Sequence, residues 1–128
     1  MLTEQLKDDI RVAYNALMES KQLTPRWGQR QMIAEIANTL ARIPPPGGSP
    51  SQQPAVCVIE AGTGTGKTIA YAVTAIPMAQ ALGKRLVVAT ATIALQEQFV
   101  NKDLPDIRHH SGLQFSYALA KGRRRYVC

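Results

Sequence analysis

Cysteine is scarce: the 128 residues hold two, Cys57 and Cys128, too few for a disulfide framework. Long apolar runs are missing as well. Nothing approaches the roughly 18 consecutive apolar residues of a spanning helix, so no membrane partner is expected. The start, Met1-Leu2-Thr3-Glu4-Gln5, has neither the basic residues nor the apolar stretch of an export signal, which makes the cytoplasm the expected compartment. Internal repeats are absent. Acidic residues are outnumbered, 9 Asp and Glu against 15 Lys and Arg, leaving a net charge of +6. That charge suits a polyanionic partner such as nucleic acid and equally suits a solvated basic surface.

What is present is a pattern of alternating elements. Leu6, Ile10, Ala13 and Leu17 recur at spacings of three and four, which predicts a helix over 3–20. Thr24-Pro25 interrupts it. A second helix is expected over 29–41, with Met32, Ile33, Ile36, Ala37 and Leu40 turned inward. Residues 44–54 are rich in proline and glycine and read as an exposed loop. Ala55-Val56-Cys57-Val58-Ile59 is a continuous apolar run of the kind that forms a strand buried on both faces, with Cys57 a small core residue. A helix follows over 67–82, kinked or broken at Pro77 and closed by Gly83. A second buried strand is expected at 85–89, a helix from Ile93 to Lys102 ending before Pro105, and a weaker strand at 114–119. The predicted fold class is α/β, a parallel sheet with helices on its faces, preceded by two N-terminal helices.

The most specific motif is Ala61-Gly62-Thr63-Gly64-Thr65-Gly66-Lys67-Thr68, placed after an apolar run and opening a helix, as a phosphate-binding P-loop requires. The strict pattern starts with glycine where Ala61 stands. Gly62, Gly64 and Gly66 remove side chains where phosphates crowd the backbone. Successive N–H groups then form an anion nest, reinforced by the free amides of the helix start. Lys67 can reach the β- and γ-phosphates of a nucleotide, and the Thr68 hydroxyl can ligate Mg²⁺.

With Glu60 in front of it, this segment resembles motif I of superfamily-two helicases in the DinG/XPD group. Other segments agree in order. Pro25-Arg26-Trp27-Gly28-Gln29-Arg30-Gln31-Met32-Ile33 resembles that group's adenine-recognition segment. By position its glutamine is Gln29, whose amide has both the acceptor and the donor that the adenine edge requires. The stretch from Val87 to Gln98 resembles motif Ia, which in the family holds the backbone of single-stranded DNA; Thr90, Thr92 and Gln96 are the candidate contacts. Thr92 also suits a plain helix cap. Lys121-Gly122-Arg123-Arg124-Arg125-Tyr126-Val127-Cys128 resembles the approach to the family's iron–sulfur cluster, with Cys128 matching the first of four cysteine ligands. The long first helix and the lead-in to the P-loop look more like the bacterial DinG branch than the eukaryotic one.

The resemblance implies an incomplete RecA-like P-loop NTPase: a helical, adenine-recognising segment at 1–43, a loop at 44–54, the first part of the ATP-binding domain at 55–120 and the start of the cluster region at 121–128. It implies ATP, Mg²⁺ and a [4Fe–4S] cluster as cofactors, and a monomeric 5′–3′ motor on single-stranded DNA. No apolar strand ends in the Asp-Glu that would hold Mg²⁺ and orient water, and neither Asp103 nor Asp106 fills that role. The expectation is therefore the amino-terminal part of a longer enzyme. Two rivals remain: a P-loop kinase acting on a small molecule, for which no acceptor lid is visible, and a non-catalytic nucleic-acid-binding module.

Overall fold

The computed structural model describes residues 2–50, 53–62 and 66–122. Helix α1 (Glu4–Ser20) starts where Thr3 is extended and its hydroxyl accepts from the Leu6 N–H at 3.1 Å, satisfying one of the amides that a helix start leaves unpaired. Its buried face carries the expected stripe and adds Tyr14 and Met18. The helix closes with Leu23 N–H on the Met18 carbonyl (2.8 Å) and Gln22 N–H on that of Glu19 (3.1 Å), a Schellman motif that holds Gln22 at φ 54°. Helix α2 (Trp27–Leu40) begins two residues earlier than expected and buries Gln29, Met32, Ala37 and Thr39.

Helix α3 (Lys67–Ala81) runs as one element through Pro77, where a kink or break was predicted. It is closed by the same motif as α1, here with Gly83 at φ 63°; Lys84 N–H reaches the Ala79 carbonyl at 2.9 Å and Gly83 N–H that of Gln80 at 3.1 Å. Helix α4 (Ile93–Gln98) is capped by Thr92, whose hydroxyl accepts from the Leu95 N–H at 3.1 Å. The predicted stop before Pro105 does not occur. The chain widens into a π-helical stretch, Phe99–Asp103, in which the Leu104 N–H donates to the Phe99 carbonyl, and continues as α5 (Leu104–Ser111). Pro105 directly follows the widened turn, in the first turn of α5, and having no N–H it donates no bond back into the stretch before it.

Helix α3 is the hub. It packs on α1, α2 and α5, and from Ala72 to Met78 every residue is buried. Tyr14, Leu17 and Met18 meet Ala72, Val73, Ile76 and Ile107 in one cluster; Leu6, Ile10, Ala37 and Met78 form a second. The Lys21–Asp106 ion pair, 2.8 Å, ties the end of α1 to α5. Among the described residues no helix is long and apolar enough to cross a membrane.

The predicted α/β class is wrong: the described residues form helices and no strand. A strand buried in a parallel sheet needs neighbours for its N–H and C=O groups along both edges and helices over both faces. Residues 55–59 and 85–89 have neither. They run without regular structure, and Val58 is 91% and Val87 84% exposed. Cys57, expected in a core, is exposed and free. The third predicted strand keeps a strand's period: Leu113, Phe115, Tyr117 and Leu119 are half-buried and the residues between them exposed. The Gln114 carbonyl within it is nevertheless taken by Gln80 Nε2 at 2.6 Å, and the Ala120 carbonyl just beyond it by Gln96 Nε2 at 3.3 Å. Leu113 and Phe115 lie on the helical core instead of in a sheet.

Candidate nucleotide site

The start of α3 has the local geometry that a phosphate cradle needs. Gly66 caps the helix in the left-handed region, φ 73° and ψ 42°, which side chains other than glycine's enter at a cost of roughly 1–2 kcal/mol. The first helical bond is Ala70 N–H to the Gly66 carbonyl, 3.2 Å, so the amides of Lys67 and Thr68 have no partner within the helix. Lys67 is exposed, and its ammonium donates to the Ala61 carbonyl at 2.9 Å. That bond joins the first residue of the loop to the first residue of the helix and leaves the ammonium's other hydrogens available. The Thr68 hydroxyl contacts the Tyr71 phenol, which burial pushes above its ordinary pKa. Thr63, Gly64 and Thr65 lie outside the described residues.

Gln29 comes to this same place from α2. It is 5% exposed, and a Cβ on Gly66 would overlap its side-chain nitrogen. Glycine is thus required at 66 twice over, by backbone conformation and by the closeness of Gln29. The Gln29 carbonyl Oε1 accepts from the Tyr14 hydroxyl at 2.6 Å, and both residues are buried. Reading the sequence missed Tyr14, although a polar ring at a position continuing the stripe from Ile10 was a usable signal. A groove of about 620 Å³ between α1 and α2 also reaches Tyr14, but its lining residues, among them Arg30 and Ile33, come from α1, α2 and Leu2 and include none of the loop.

The candidate DNA contacts lie elsewhere and are partly engaged. The Thr92 hydroxyl caps α4, Thr90 Oγ1 donates to the Thr92 carbonyl at 3.3 Å, and Gln96 Nε2 donates to the Ala120 carbonyl. One chain of contacts links the two regions: Thr68 touches Tyr71, and the Tyr71 ring lies 6.0 Å from that of Phe99, which directly follows α4.

Two acids on the same helical run respond oppositely to their surroundings. Burial holds the Asp103 carboxyl above its ordinary pKa, while the hydrogen bond from Lys21 holds that of Asp106 below it. Ser20 Oγ lies 2.6 Å from His110 Nδ1. The nearby Asp106 carboxylate is bonded to Lys21 (2.8 Å), so the pair has the company of a lysine-bound acid in place of the carboxylate–imidazole bond of a nucleophilic triad. Among the described residues no group of three or more His, Cys, Asp or Glu is placed to hold a metal; Cys128 lies outside them.

Residues 22–116 match the family described as Type III restriction enzyme, res subunit, and the chain belongs to that family. Its relatives are more specific. Over 129 aligned residues it is 45% identical to the ATP-dependent DNA helicase DinG of Photobacterium profundum, covering 100% of this chain and 18% of the relative. It is 43% identical, over 99% of this chain and 16% of the relative, to the proteins of that name from Escherichia coli (strain K12) and Shigella flexneri. The DinG resemblance carried by the motifs is thereby borne out. The chain spans under a fifth of the length of these relatives.

Proposed function

We propose that this chain is the nucleotide-binding part of an ATP-dependent DNA helicase that moves along single-stranded DNA. The observation that carries the reading is the meeting of Gly66, Lys67 and Gln29 at the start of α3, in a chain aligned along its whole length with helicases named DinG. ATP binds with its triphosphate over Ala61, Gly62, Thr63, Gly64, Thr65, Gly66, Lys67 and Thr68. The unpaired amides of α3 and the helix dipole hold the phosphate oxygens. The Lys67 ammonium exchanges the Ala61 carbonyl for the β- and γ-phosphates, neutralising charge that grows as the terminal phosphoryl leaves. The Thr68 hydroxyl, now against Tyr71, would hold a Mg²⁺ ion, which would offset the charge of the phosphates. Gln29 reads the adenine edge: Tyr14 occupies one lone pair of its carbonyl, leaving the other and the NH₂ group for the base.

Thr90, Thr92 and Gln96 contact the DNA backbone, which requires the Thr90 and Gln96 side chains to release their present carbonyl partners. In the whole enzyme, a monomer moving 5′ to 3′, Cys128 ligates a [4Fe–4S] cluster with three further cysteines; the ATP chemistry above takes nothing from it.

The test is ATP turnover by the full-length protein with and without single-stranded DNA. Strong stimulation by DNA is expected, and Lys67→Ala should lower turnover by at least about 100-fold while DNA binding persists. Turnover indifferent to DNA would instead indicate a small-molecule kinase, and near-normal turnover by Lys67→Ala would end the P-loop assignment.

A further inference from the structure

We infer that Tyr14 is a positioning residue for nucleotide selection: its hydroxyl fixes which way the Gln29 amide faces. The inference rests on the reading of Gln29 as the residue that meets the base. A glutamine amide has two faces of opposite character, an oxygen that only accepts and a nitrogen that only donates. Rotating it half a turn exchanges them and exchanges adenine's complement for that of another base. Something must hold one orientation if the residue is to discriminate.

Tyr14 supplies that hold. The 2.6 Å separation to Oε1 matches an O–H···O bond and is short for a bond to an amide nitrogen. Both partners are buried, so water does not compete, and turning the amide would replace this bond with a worse one in a dry site. Gly66 completes the arrangement from the other side, since only an absent side chain leaves room for the Gln29 nitrogen. The two contacts bracket the amide: Tyr14 of α1 holds its oxygen, and the backbone at the start of α3 faces its nitrogen. The ring of Tyr14 sits in the core cluster with Leu17 and Val73, so the hydroxyl is carried on a rigid support. Helix α1 thus takes part in nucleotide selection although it lines no part of the loop.

The experiment is a double-mutant cycle in the full-length protein, reading equilibrium binding of ATP and of GTP for Tyr14→Phe, Gln29→Ala and the double variant. Tyr14→Phe keeps the ring, and thus the packing, and removes only the hydroxyl; a retained cooperative unfolding transition, lowered by no more than the loss of one buried hydrogen bond, checks this. The expected result is ATP binding weakened about threefold to tenfold by Tyr14→Phe, GTP binding left nearly unchanged, and no further effect of Tyr14→Phe once Gln29 is alanine. An effect of the same size with and without Gln29, or no effect at all, overturns the positioning role. The ATP-to-GTP ratio of Gln29→Ala is a separate readout. If that variant weakens both nucleotides equally, the adenine reading of Gln29 fails, while the coupling between the two sites still decides for or against Tyr14.

Discussion

Helix α3 and the segments 55–59 and 85–89 are composed of similar residues and have opposite fates. From Ala72 to Met78, α3 is buried throughout, whereas Val56, Val58 and Val87 stand mostly in solvent. The difference lies in the backbone. A helix pairs its amides and carbonyls within itself, so an apolar helix can be covered on all sides by other helices. An apolar strand must find its hydrogen-bond partners in other segments before burial stabilises it. Hydrophobicity alone therefore does not place a segment in the interior; the route by which its polar backbone is satisfied decides.

This contrast can be broken most directly by truncation in each region. Leu17, fully buried beside α3, should lose about 2–5 kcal/mol as Leu17→Ala, while Val58→Ala should stay within about 0.5 kcal/mol, both read by denaturant unfolding of this chain. Comparable losses would mean that 55–59 is packed in solution.

A smaller effect sharpens the comparison inside the packed half. Helices α1 and α3 end in the same motif, one with Gln22 and the other with Gly83 in the left-handed region. Gln22→Gly should stabilise by about 1 kcal/mol, because it removes the clash of a Cβ there; a loss of stability in thermal melting would show that the Gln22 side chain contributes more than its backbone costs.

The smallest effect concerns charge. Asp103 has its folded pKa raised by burial, so ionisation opposes folding and stability grows as pH falls through that pKa. Asp103→Asn should be more stable than the parent at neutral pH, and the two should converge in acid, where the parent is protonated. Asp106 has its folded pKa lowered and behaves in the opposite sense: its contribution, present above the ordinary carboxylate range, is lost as pH falls through the folded value. Melting curves from pH 7 down to pH 3 for the parent, Asp103→Asn and Asp106→Asn check the two signs.

Much of the helical architecture was legible locally. The stripe from Leu6 to Leu17, the cap at Thr92 and the glycine after α3 are short-range signals, and the structure contains each of them. The sheet was misread because a five-residue apolar run looks the same whether or not lateral partners exist, and those partners are not encoded nearby. Cys57 was misplaced for the same reason. At the candidate site the glycine-lysine signal of Gly66 and Lys67 was plain from spacing. The Tyr14–Gln29 bond was not, because it joins residues 15 apart on different helices, and only packing brings them together.

The widened turn at Phe99–Asp103 has a geometric consequence. A π turn accommodates one residue more than an α turn, and one residue on a helix corresponds to about 100° of azimuth. The stretch therefore acts as a phase shifter between α4, which has no buried residue, and α5, which buries Leu104, Ile107 and Ser111. Without it, the side carrying Gln96 would be rotated by about a quarter turn relative to the core. Chain length in this stretch, more than the chemistry of its side chains, sets the direction in which Thr92 and Gln96 point.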